Sequence, residues 1–231
     1  MTSASSPIHT MFAAELSALG PGKVPSGIFK RAVPSPWTIG LTGLAGDHQG
    51  DTVHHGGREK ALHHYPFEHY ARWHEERPEL IAADAVPPLF GENISTTGMT
   101  EETVCAGDVY RLGSALLQVS QGRQPCWKLN LKFGAPDMAY QVQATGRTGW
   151  YYRVIEPGEV TPGQGFELQD RPQPDWPLRR IISAIFGRSL DIAEMEGIAG
   201  LEELAQSWRA LAERRIQSRT VEDWSARLQG S

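Results

Sequence analysis

Cysteine is scarce in this sequence: Cys105 and Cys126 are the two thiols among 231 residues. A secreted domain held by a disulfide framework carries more, in pairs. Residues 1–20 also lack the basic and apolar stretches of a signal peptide, so the cytoplasm is the expected compartment. A Cys105–Cys126 disulfide is then the less favoured alternative to two free thiols. No apolar run approaches the roughly 20 residues of a membrane-spanning helix, so no membrane association is expected. Basic charge is not in excess either. A formal net charge of −5 argues against a binder of nucleic acid polymers, which needs a basic face to displace counterions. A small anion in a local basic pocket is still compatible with it. The C-x-x-C and H-E-x-x-H zinc patterns, the G-x-S-x-G nucleophile turn, the Walker loop and the G-x-G-x-x-G fingerprint are all missing. The common zinc, hydrolase and nucleotide-binding classes therefore find no support.

What is present reads as a globular chain, 40% hydrophobic and 21% charged, large for one compact core and small for two full domains. Residues 20–171 are rich in Gly and Pro, with short apolar segments between turn signals, which predicts many short strands in a barrel or sandwich. The clearest hairpin spans residues 108–120 and turns at Gly113-Ser114. A second group of strands covers residues 150–155 and 166–168, with a turn at Pro157-Gly158. Two helices interrupt this region. Pro66 opens one whose apolar face is Phe67, Tyr70, Ala71 and His74, and Pro136 opens another that ends at Gly146. The proline-rich stretch 171–177 (RPQPDWP) reads as a boundary. Beyond it the periodicity turns helical: Ile181, Ile182, Ile185 and Phe186, then Leu201, Leu204, Ala205, Trp208, Leu211 and Ala212, then Val221, Trp224 and Leu228. The expected organisation is residues 1–173 as the main domain and 174–231 as a small three-helix domain.

Three segments carry residues suited to chemistry. In residues 120–129, Cys126 follows Pro125 just past a predicted strand, with Arg123 and Lys128 close by. Cationic neighbours favour the thiolate, the form that attacks electrophiles and binds metals. The bland alternative is a buried thiol packed like a small apolar group. Cys105 has no charged neighbour on either side and reads as core. In residues 46–60, the Gly56-Gly57 pair lets backbone approach a ligand and can present N–H donors to an anion. Asp47 and Asp51 could orient histidines there, and Arg58 and Lys60 could meet phosphate; a polar surface loop is the alternative. Seven of the eight histidines fall between His48 and His74, but His69 and His74 are five apart and do not share a helix face. In residues 90–98, Asn93 between glycine-flanked turns could read a polar ligand edge.

Taken in order, His55-Gly56-Gly57, Phe90-Gly91-Glu92-Asn93, Gly107-Asp108 and Arg123-x-Pro125-Cys126 resemble the MOSC domain family, named for the C-terminal domain of molybdenum cofactor sulfurases. The likeness is closer still to the stand-alone bacterial YiiM-like proteins, and it covers nearly the whole chain. The resemblance implies a MOSC-type β-barrel, mostly β with some helices, followed by the three-helix domain. It implies a molybdenum cofactor, molybdopterin, bound with Cys126 as the protein ligand to the metal. It also implies reduction of small N-hydroxylated substrates such as hydroxylaminopurine base analogues, with electrons from a separate NADPH-dependent flavoprotein reductase. A soft thiolate suits a sulfur-rich metal centre.

On this reading Arg123, Lys60, Lys128, Gly56, Gly57 and Asn93 bind the cofactor, while His55, His64 and Asp47 join Cys126 in the chemistry. The choice between His54 and His55, and between His63 and His64, stays open. Two other classes compete: a carrier holding a persulfide on Cys126, and a module that binds or delivers the cofactor without catalysis. The polar face with Arg209 and Arg214 would steer an acidic electron donor; the alternative for that helical segment is a homodimer interface.

Overall fold

A computed structural model describes residues 7–51 and 56–230. The strands are short, as the spacing of Gly and Pro dictates. The first six are β1 (Met11–Ala13), β2 (Ser17–Leu19), β3 (Val24–Ser26), β4 (Arg31–Val33), β5 (Trp37–Gly40) and β6 (Gly43–Leu44). A 3-10 turn (Arg58–Lys60) leads into β7 (Leu62–His64) and helix α1 (Glu68–Glu76). After a long irregular stretch come β8 (Val109–Leu112), β9 (Ala115–Gly122), α2 (Lys128–Phe133), α3 (Met138–Thr145), β10 (Trp150–Glu156), β11 (Gly158–Val160) and β12 (Glu167–Asp170). Four helices close the chain: α4 (Leu178–Phe186), α5 (Ile192–Ala199), α6 (Gln206–Ser218) and α7 (Ser225–Gln229).

The expected β-barrel is not what forms. The strands make a mixed α/β fold of open sheets: a five-stranded antiparallel sheet ordered β12-β8-β9-β10-β7, a three-stranded sheet β11-β5-β6, and the pairs β1-β4 and β2-β3. Among the described residues no ladder joins β12 to β7, so the largest sheet does not close. Closure needs long edge strands with a matched tilt and stagger. Here the edges are three and four residues long, and the register shifts within both β9-β10 and β8-β12.

The hairpin expected at residues 108–120 is present as β8-β9, with Leu112 opposite Ala115. The strands around Pro157 do not form a hairpin with each other: β11 pairs with β5, and β12 with β8. Helix α1 buries Tyr70 of the expected face, together with His69 and Trp73, and leaves Phe67 39% exposed. Its inward face is fixed by bonds, with the Trp73 indole donating to the Tyr65 hydroxyl at 2.6 Å and His69 meeting Glu101 at 2.7 Å. Gly146 ends α3 in the left-handed region, as expected.

The proline-rich stretch 171–177 is sewn into the fold. Arg171 donates twice to buried Asp108, at 2.8 and 2.6 Å, Gln173 donates to Glu203 at 3.0 Å, and Ala106 N–H donates to the Trp176 carbonyl at 3.0 Å. Helices α4 and α6 share one core with the main sheet, Ile181, Ile182 and Trp208 packing in the same cluster as Leu117 and Val119. Gly122 permits that approach: a Cβ there would sit 2.9 Å from Ile182 and 3.0 Å from Trp208. A second core gathers Tyr65, Tyr70, Trp73, Phe90, Leu129, Met138 and Val142 under α1 to α3. No described helix is long and apolar enough to cross a membrane.

Candidate functional site

An open cavity of about 580 Å³ lies where β7, the end of β9, the start of α2 and the loops around residues 47 and 91 converge. Strand alternation decides which side chains reach it. On β7 and β10, His63 stands opposite Tyr151, and His64 opposite Trp150; consecutive residues point to opposite faces. His63 and Tyr151 therefore line the cavity, their rings 5.1 Å apart. His64 turns into the core against Trp150 and Phe166.

Six of the residues singled out from the sequence meet here: Asp47, Lys60, Asn93, Arg123, Cys126 and Lys128. Asn93 is a joint in the wall. Its carbonyl oxygen accepts the His63 N–H at 3.0 Å, and its amide donates to the Phe12 carbonyl at 2.9 Å and to Asp47 at 2.8 Å. Asp47 is a structural hub, also accepting from Ala14 N–H at 3.0 Å, from Gln49 at 3.3 Å and from Lys30. Lys60 is held by its turn, whose N–H donates to the Gly57 carbonyl at 3.0 Å. Gly57 takes a φ of 90°, a value side chains rarely adopt. Neither Gly56 nor Gly57 is among the described residues lining the cavity. His54 and His55 lie outside the described residues. His64, expected to deliver protons, does not line the cavity: its ring nitrogens meet the Tyr152 hydroxyl at 3.1 Å and Thr96 at 2.9 Å.

His63, left open against His64 in the sequence, is the one that reaches the cavity, while Lys30 and Tyr151 are lining residues that escaped the sequence reading. Tyr151 was accessible through strand alternation, one residue past Trp150. Lys30 carried no signal, because a lysine between Phe29 and Arg31 reads as surface until its pairing with Asp47 is known.

The electrostatics favour an anion. Among the described lining residues Lys30, Lys60, Arg123 and Lys128 face one carboxylate, Asp47, which Lys30 already engages. Burial lowers the Lys30 ammonium against the opposing pull of Asp47, and lowers Lys60 against Asp51 and Cys126. Burial, with Arg123 beside it, holds His63 well below the usual imidazole range, while burial raises the Tyr151 phenol. Arg123 is 7% exposed, and its Nη1 has no hydrogen-bond partner among the described residues. A buried guanidinium N–H without an acceptor is rare in a native fold and marks a place for one. Cys126 is 6% exposed, and neither Cys105 nor Cys126 is in a disulfide. Among the described residues no group of three or more His, Cys, Asp or Glu is placed to hold a metal ion.

An open α/β scaffold thus sets a cation-lined cavity around a thiol in its wall. The pattern of the MOSC domain matches residues 51–167, and that of the YiiM-like 3-alpha helix domain matches residues 176–219. Over 220 residues the chain is 40% identical to Protein YiiM of Escherichia coli, covering 95% of this chain and 97% of that one. The crystal structure of YiiM from Escherichia coli superposes with a TM-score of 0.80 at 35% identity, covering 97% of this chain and 99% of that one. A longer protein of Gibberella moniliformis named Reductase is 38% identical over 179 residues, 76% of this chain and 31% of that protein. The chain belongs to the MOSC domain family, in its YiiM-like branch. That membership associates it with molybdenum-cofactor-related processes.

Proposed function

We propose that the chain is a molybdenum-cofactor-dependent reductase of small N-hydroxylated compounds, hydroxylaminopurine base analogues among them. The observation that carries this reading is the pairing, in one cavity, of the Cys126 thiol with the Nη1 of buried Arg123, which has no hydrogen-bond partner among the described residues. This donor set fits the cofactor: a soft sulfur for the metal and a guanidinium for an anionic tail. Cys126 would be the protein's ligand, and Arg123, Lys60 and Lys128 would hold the phosphate. When bound, the group supplies a two-electron couple, as cofactors carry the chemistry that side chains cannot.

The overall change is balanced: an N-hydroxyl compound takes up two electrons and two protons, its N–O bond breaks, and an amine and water leave. The electrons come from a separate NADPH-dependent flavoprotein. The Tyr151 phenol, raised by burial, keeps its proton within the cavity, and the neutral His63 ring packs against it. His55 retains a proposed role in proton delivery. The relative named Reductase agrees with the reaction class.

The test is protein made in a host that synthesises the cofactor, assayed for molybdenum, for pterin fluorescence and for dye-driven reduction of 6-hydroxylaminopurine. Cys126→Ser is expected to lose reduction while keeping its circular dichroism spectrum, and Cys105→Ser to keep most activity. Wild-type protein free of molybdenum, or a fully active Cys126→Ser variant, would refute the reading.

A further inference from the structure

The contacts of α7 converge on one loop. The Arg227 carbonyl accepts the Trp127 N–H at 2.8 Å, and the Arg227 guanidinium donates through Nη1 to the Pro125 carbonyl. Its Nη2 donates to Gln143 Oε1 at 2.6 Å, which fixes the guanidinium against α3. Both peptide groups that flank Cys126 are therefore held by a single residue about a hundred positions along the chain. Leu228 adds a further tie, its carbonyl accepting from Asn130 Nδ2 at 2.8 Å. Gly230 lies against the Trp127 ring, with room for a Cβ only 3.2 Å from it.

A five-residue helix has too few hydrogen bonds to persist alone, so α7 is held where it is by these contacts and by the segment before it. That segment is anchored in turn. Arg215, 1% exposed, donates to the Ile185 carbonyl and to Glu222, both at 2.8 Å, and Glu222 accepts from the Trp224 indole at 2.8 Å. A rigid path thus runs from α4 and α6 through residues 222–227 to the Cys126 loop. Its last stretch, residues 222–227, lies beyond residue 219, outside both matched family patterns.

We propose that Arg227 is a positioning residue for Cys126: it clamps the backbone on both sides of the thiol. The proposal rests on the reading of Cys126 as the working side chain.

The experiment is hydrogen–deuterium exchange by mass spectrometry, with iodoacetamide alkylation of Cys126 at one fixed pH, in the full chain carrying Cys105→Ser. In Arg227→Gln, exchange of the peptide holding residues 123–130 and the alkylation rate are expected to rise several-fold, while exchange in β8 and β9 stays as in wild type. Arg227→Lys, which can still donate to one of the two acceptors, should recover part of the change. Arg111→Gln, which breaks a surface pair with Glu156, should change neither. If Arg227→Gln aggregates, Gln143→Met is read instead: it removes the acceptor that fixes the guanidinium, and a smaller rise is expected. A lower melting temperature with unchanged exchange and alkylation at residues 123–130 would make α7 a packing element and overturn the proposal. Neither measurement needs the cofactor, so protein lacking molybdenum would sink the reductase reading and leave this one standing.

Discussion

His64 offers the most direct test of how the β7-β10 pairing divides its side chains. The imidazole is fully buried, each ring nitrogen meets a hydroxyl, and burial brings its pKa from 6.5 down to about 3. The unfolded chain then binds a proton below pH 6.5 that the folded chain refuses until about pH 3. Stability from this group is complete above pH 6.5 and is lost as the pH falls through that window. At pH 4.5 the loss is roughly 2–3 kcal/mol. His63, also lowered by burial, adds to it in the same direction. Urea unfolding at pH 7.5 and 4.5 measures the difference. His64→Leu should be less stable than wild type at pH 7.5, because Tyr152 and Thr96 lose a partner, yet its pH 7.5 to 4.5 difference should shrink by about 2 kcal/mol. An unchanged difference would mean that His64 is protonated in the fold or exposed to water, and the assignment of faces on β7 would be wrong. A ring held neutral this far below neutrality is a poor proton carrier at pH 7, which is why His64 is left out of the proposed chemistry.

Two further tests concern the cavity wall. Asp47→Ala leaves Lys30 buried without its carboxylate and should cost about 3 kcal/mol, which in a chain of this size lowers the melting temperature by about 6–12 °C. Adding Lys30→Met should recover part of that loss in a thermal melt; a further additive loss would show that the pair is not coupled. Arg123→Ala should shed the cofactor at least about tenfold faster in a gel-filtration chase, since a hydrogen bond to a charged group is worth roughly 1.5–3 kcal/mol. Arg123→Lys should restore little, because an ammonium lacks the planar fork, and unchanged molybdenum retention in Arg123→Ala would remove the residue from the site.

The sequence made the cavity more legible than the fold. Asp47, Lys60, Asn93, Arg123, Cys126 and Lys128 stand in short motifs whose glycines, prolines and charges announce a ligand. Lys30 and Tyr151 do not, since one is made functional by a pairing 17 positions away and the other by strand register. The hairpin β8-β9 was readable because its turn and both strands are local. Barrel closure was not, because it depends on whether two short edges far apart in the chain find each other, and here they do not. The helix face of α1 was misread for a related reason: Trp73 and His69 are drawn inward by Tyr65 and Glu101, partners that the helix's own periodicity does not reveal.

The α7 clamp also sets an order of events during synthesis. Arg227 follows Pro125 by 102 positions. At about 5–20 residues per second, a ribosome exposes the Cys126 loop roughly 5–20 s before the residue that fixes it has been made. A growing chain therefore carries a loosely held thiol and an incomplete pocket wall. Loading of any bound group is expected to wait for the finished polypeptide, and ribosome-stalled chains should bind it poorly even when the sheet has already folded.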